Sequence, residues 1–153
     1  MSWLLGGIVI GILLDRMIQL PKARRINKRI NELERIFQLA ENSKDIIYYF
    51  ELKPEWKFKY ISPSLDANLG EGLVQDSYQN PFEPIERIHP DDYETLLKKM
   101  TGNLDYEKPI IQRWRNKEGK YQWFEEYATP VYEKGKMVAI QGIIRVLRQM
   151  LGW

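Results

Sequence analysis

His89, Asp91 and Asp92 crowd one short stretch and are the residues of this chain best placed to do chemistry. A histidine beside two carboxylates suggests acid–base work, haem ligation or a metal site. Each residue also has a plainer reading. His89 precedes Pro90, which suits the first position of a helix, so the imidazole falls at the cap. Asp91 and Asp92 then occupy the first turn, where carboxylates meet the positive end of the helix dipole. Two neighbouring carboxylates supply too few convergent oxygens for a metal. Ser62 and Ser64 have no triad pattern, because His89 is the only histidine. No phosphate-binding loop, dinucleotide glycine pattern or zinc-protease motif occurs. The expectation is therefore no enzyme: no catalytic residue, no metal and no cofactor, with haem and flavin kept as less favoured alternatives.

A second set is aromatic: five Trp, nine Tyr and five Phe. Trp114 and Trp123 fall on adjacent predicted strands, with Tyr121 and Tyr127 on the face of Trp123. Such a set could line a pocket for a flat ligand. It could equally be a sheet face that receives a helix or a partner.

The elements that position these residues follow from periodicity and punctuation. Residues 45–52 are dense in β-formers, and residues 56–62 alternate Trp56/Phe58/Tyr60 against Lys57/Lys59/Ile61. Pro63 could open a short helix with Ser62 as its cap. Residues 70–86 break into turns and short helical pieces. Tyr93, Leu96, Leu97 and Met100 recur at i, i+3, i+4 and i+7, which predicts a longer helix with this stripe inward and Gly102 as its stop. Three strands follow, at 109–116, 120–132 and 136–147. Lys117-Glu118-Gly119 and Glu133-Lys134-Gly135 are their hairpin turns.

Ahead of these elements, residues 3–14 are apolar without interruption, and Asp15 and Arg16 break the run. Fourteen helical residues reach about 21 Å, and twenty about 30 Å, the thickness of a hydrocarbon core. Residues 1–20 are thus expected to form a membrane helix ended by Pro21. A signal peptide fits less well, lacking a basic start and a small-residue cleavage site. A buried core helix would leave a basic run directly after a core element. That run is Lys22, Arg24, Arg25, Lys28 and Arg29, which suits a membrane surface and would hold the rest of the chain on the cytoplasmic side of the cell membrane as a single-pass protein. Within 21–42, Ile26, Ile30, Leu33 and Phe37 form a two-heptad stripe on an amphipathic linker helix. The stripe either packs on the chain's own sheet or pairs with a second copy.

Composition bounds the rest. A chain of 153 residues has room for one domain and an appendage. A net charge of +2 is too small to argue for nucleic acid. The absence of cysteine excludes disulfides, thiolate metal sites and a cysteinyl photoadduct.

Across 36–147, Ile88-His89-Pro90-Asp91-Asp92-Tyr93, Arg113, Lys117-Glu118-Gly119-Lys120-Tyr121-Gln122-Trp123 and Ile140-Gln141-Gly142-Ile143-Ile144 stand in an order that resembles the PAS family of sensor domains. The resemblance is to the subgroup with an HPDD helix start and a (D/E)G-x-Y-x-W hairpin. It implies an α+β fold over 43–148: a five-stranded antiparallel sheet with short helices on one face. It also implies a pocket between the longer helix and the sheet, for which Phe50, Leu69, Tyr93, Leu96, Leu97, Trp114, Trp123, Tyr127 and Ile144 are the candidate lining. Arg113 and Trp123 match the family's usual arginine and tryptophan and are expected to serve the fold. The family's closing Gly-x-x-x-Asp-(Ile/Val)-Thr is changed here, with Val146 and Arg148 at the Asp and Thr positions. With only the tail 149–153 beyond, no output domain is expected. The implied function is a membrane-anchored sensory or interaction module that signals by forming a homodimer or binding another PAS or signalling protein. The alternative is a sensor of a small ligand held in the pocket.

Overall fold

The structure, a computed structural model, describes residues 2–147, with side chains from residue 20 onward. Two compact units divide between Leu39 and Ala40. The first consists of the helix α1, Ser2–Glu41, whose last two residues fall in the second. Pro21 lies inside this helix rather than ending it, which corrects the expected boundary at residue 20. A proline removes one backbone hydrogen bond, and the helix-forming stretch 22–41 carries the helix past that loss. Among the described residues no helix is long and apolar enough to cross a membrane. The expected membrane helix therefore finds no support, and the side chains of its apolar run, 3–14, lie outside the described residues. The expected tail, 149–153, and Arg148 lie outside them too.

The second unit holds the sheet. Its strands are β1 (Ile46–Glu51), β2 (Lys57–Ile61), β3 (Ile110–Arg115), β4 (Tyr121–Glu133) and β5 (Lys136–Val146), all pairing antiparallel in the order β2-β1-β5-β4-β3. Between β2 and β3 run α2 (Ser64–Leu69), α3 (Leu73–Gln79), two 3₁₀ turns and α4 (Tyr93–Thr101). The β4–β5 turn is Lys134-Gly135, with φ of 48° and 76°. Positive φ at both central residues matches the right-handed twist of the strands, which is why glycine closes this hairpin.

Alternation along the strands sorts the two faces. Ile46, Tyr48 and Phe50 of β1 lie opposite Ile144, Gly142 and Ile140 of β5 and point inward. Together with Phe124, Ala128, Ile110 and Trp114 they pack on Leu65, Leu69, Leu73, Ile88 and Leu96 from the helical segment. The other face carries Trp123, Tyr127, Ile111 and Ile143, all exposed.

Candidate functional site

The helix α4 was expected to turn Tyr93, Leu96, Leu97 and Met100 inward. Its buried face is instead Leu96 and Lys99, with Met100 half-buried; Leu97 is 60% exposed and Tyr93 is exposed too. An apolar count could not anticipate this, because a lysine takes the inward place between Leu96 and Met100. It does so because β4 presents a partner. Phe124, Glu126 and Ala128 share the inner face of β4, and Glu126 is fully buried. Lys99 Nζ donates to both of its carboxylate oxygens, at 2.9 and 3.0 Å. Gln112 Nε2 donates to Oε2 at 2.5 Å, and the Tyr48 hydroxyl donates to Oε1. Four donor contacts saturate the carboxylate, the condition under which a buried ion pair persists.

Tyr48 reaches Glu126 by crossing β5, and Gly142 makes that crossing possible. A Cβ on Gly142 would stand 2.6 Å from the Tyr127 carbonyl and 3.0 Å from the Tyr48 ring. Burial, and then the Glu126 charge, push the Tyr48 hydroxyl well above its ordinary pKa, so it stays a donor.

Beside this cluster lies a cavity of about 40 Å³. Phe50, Leu96, Trp114 and Ile144 of the expected lining form part of its wall. Leu69 is buried in the core but away from the cavity. Trp123 and Tyr127 stand on the opposite face of the sheet. Register explains this: Trp123 pairs with Arg113 and Trp114 with Gln122, so the two tryptophans alternate in facing. Sequence reading also missed the rest of the wall, chiefly Tyr48, Phe58, Ile85, Ile88, Lys99, Met100 and Ile140. One signal pointed that way: a glutamate in the inward register of an apolar alternation. The cavity is smaller than the ~150 Å³ engineered cavity that takes up benzene.

The residues first singled out for chemistry make local structural contacts. His89 caps the turn ahead of α4, its Nδ1 accepting from the Asp91 backbone N–H at 3.2 Å. Asp92 was expected to serve the helix dipole. It stands in the first turn as expected and also takes the Arg113 backbone N–H at 2.8 Å, and Arg113 Nε and Nη2 at 3.0 and 2.8 Å. The Arg113 hydrogen bonds hold the Asp92 carboxyl below its ordinary pKa. The Arg113 guanidinium lies 5.0 Å from the centre of the Trp123 ring. Ser62 was expected to cap α2; it accepts from the Ile47 N–H at 2.8 Å and pairs with Ser64 Oγ at 2.6 Å. Among the described residues no group of three metal-ligating side chains converges. On α1, Ile26, Ile30, Leu33 and Phe37 are exposed, as are the basic residues Lys22, Arg24, Arg25, Lys28 and Arg29.

A five-stranded antiparallel sheet with short helices over one face, and a small cavity beneath the longest of them, defines an α+β domain. The family model described as the PAS fold matches residues 72–144, the family that the sequence motifs resemble. No curated protein sequence matches the chain. Solved structures share the fold. A domain from Haloarcula marismortui, of a protein described as a light and redox sensing histidine kinase, is 24% identical with a TM-score of 0.57, covering 75% of this chain and 99% of that one. The N-terminal domain of a diguanylate cyclase with a PAS/PAC sensor from Marinobacter aquaeolei is 22% identical with a TM-score of 0.54, covering 67% and 94%. An RNA-binding light-oxygen-voltage receptor is 14% identical with a TM-score of 0.56; the match covers 72% of this chain but only 32% of that receptor.

Proposed function

We propose that this chain is a PAS interaction module without catalysis of its own, passing a signal by pairing with a second copy or with another signalling protein. The exposed stripe Ile26, Ile30 and Leu33 on α1 carries the reading. Apolar side chains at heptad spacing gain from a facing helix. Two heptads are marginal alone, and attachment of both copies to one membrane raises their effective concentration. The run 3–14 followed by five basic residues supports such attachment, with the domain on the cytoplasmic side.

Light scattering on the full chain tests the pairing. Wild type should be dimeric at tens of micromolar, and Ile30→Lys monomeric with a melting temperature near wild type. A wild type that stays monomeric at high micromolar concentration removes self-association as the mechanism. A large drop in melting temperature for Ile30→Lys would mean that the stripe packs within its own chain.

A second reading is a small-ligand sensor. It is favoured by Trp114, a residue of the cavity wall whose buried indole Nε1 has no hydrogen-bond partner among the described residues.

A further inference from the structure

We propose that the cavity under α4 takes a short-chain neutral molecule with one acceptor oxygen, a ketone or an alcohol, held by the Trp114 indole N–H. The proposal rests on the small-ligand reading and names the ligand class. Three observations carry it. The first is the orphan donor: Trp114 is 5% exposed, forms part of the wall, and its Nε1 has no partner among the described residues. A buried donor left unpaired costs about 1–3 kcal/mol, so an oxygen brought to it gains more than it would at a satisfied site.

Charge is the second. Lys99 is the one charged side chain of the wall among the described residues, and Glu126 matches it through two contacts at 2.9 and 3.0 Å. The cluster is neutral as it stands. A carboxylate ligand would put a second negative charge near Glu126 with no unmatched cation of the wall to meet it, and its desolvation would go uncompensated. A neutral oxygen avoids that cost.

Size is the third. About 40 Å³ seats only the head of a molecule. Phe58, Ile85 and Met100 are half-buried, so the wall reaches solvent through apolar side chains that suit a short alkyl tail. A small molecule with a polar head and an apolar tail meets both ends of this site.

The test is a ¹⁵N–¹H spectrum of the full chain, following the Trp114 indole resonance while 2-butanone, 2-butanol or butyrate is added. Trp114→Phe assigns the resonance. If that variant fails to fold, single Phe replacements of Trp3, Trp56, Trp123 and Trp153 assign it by elimination. The expected result is a saturable shift with the ketone and the alcohol, and at least tenfold weaker binding of butyrate. No saturable shift with either neutral probe, or a response to butyrate of equal strength, overturns the proposal. Native mass spectrometry of the purified protein then separates the two failures. If another small molecule is bound and moves the Trp114 resonance, only the ligand class falls. If nothing is bound and nothing moves it, the small-ligand reading falls as well.

Discussion

Glu126 is the residue on which the inner face of the sheet turns. It lies across from Ile144 and Ile110, where an unpaired carboxylate would be costly. Lys99, Gln112 and Tyr48 each donate to it. Removing one member of the ion pair leaves the other charge buried and unmatched, at a cost of about 3–5 kcal/mol. Replacing both with apolar residues of similar volume leaves no such charge. Glu126→Leu and Lys99→Met should each lower stability by that amount in urea melts, and the double variant by less than either. If the double variant loses the sum of the two, the cost belongs to packing and not to the unmatched charge.

At the scale of the element, α4 shows how a short helix is held. It spans nine residues and contacts the sheet side through Leu96, Lys99 and Met100. The turn before it is anchored by His89, whose N–H donates to the Arg113 carbonyl at 2.9 Å, and by the Asp92–Arg113 pair. Leu96 and Leu97 are neighbours in sequence but 8% and 60% exposed. Leu96→Ala should therefore cost about 2–5 kcal/mol, and Leu97→Ala no more than about 0.5 kcal/mol. Denaturant unfolding of the two variants checks the assignment. Equal losses would place Leu97 in the core as well.

For the whole molecule, the open question is what α1 attaches to. Each exposed Lys or Arg near an anionic surface is worth about 1 kcal/mol, and five are gathered between Lys22 and Arg29. The full chain should sediment with membranes, and replacing those five residues with Gln should move it towards the supernatant. High salt should release a helix that lies on the surface, whereas one that crosses needs detergent. Recovery of wild type mainly in the supernatant without detergent would end the membrane reading.

Sequence alone determined the elements of the sheet unit, though not the run of α1 through Pro21. The five strands, the hairpin glycines and the His89 cap were legible because each depends on neighbours within a turn or a pleat. The PAS order followed from them, since motif spacing is also a property of the chain itself. Tertiary structure decided which elements meet, and with which residues. Trp114 and Trp123 part company because the β3–β4 register sets Arg113 against Trp123. Lys99 is inward because Glu126, 27 residues on, meets it. Tyr48 joins that carboxylate from 78 residues away, across a glycine that leaves room for its ring. Local periodicity says which side of a strand or helix a residue occupies. The pairing of buried polar groups depends on register and close approach between elements far apart in the chain, which no local pattern records.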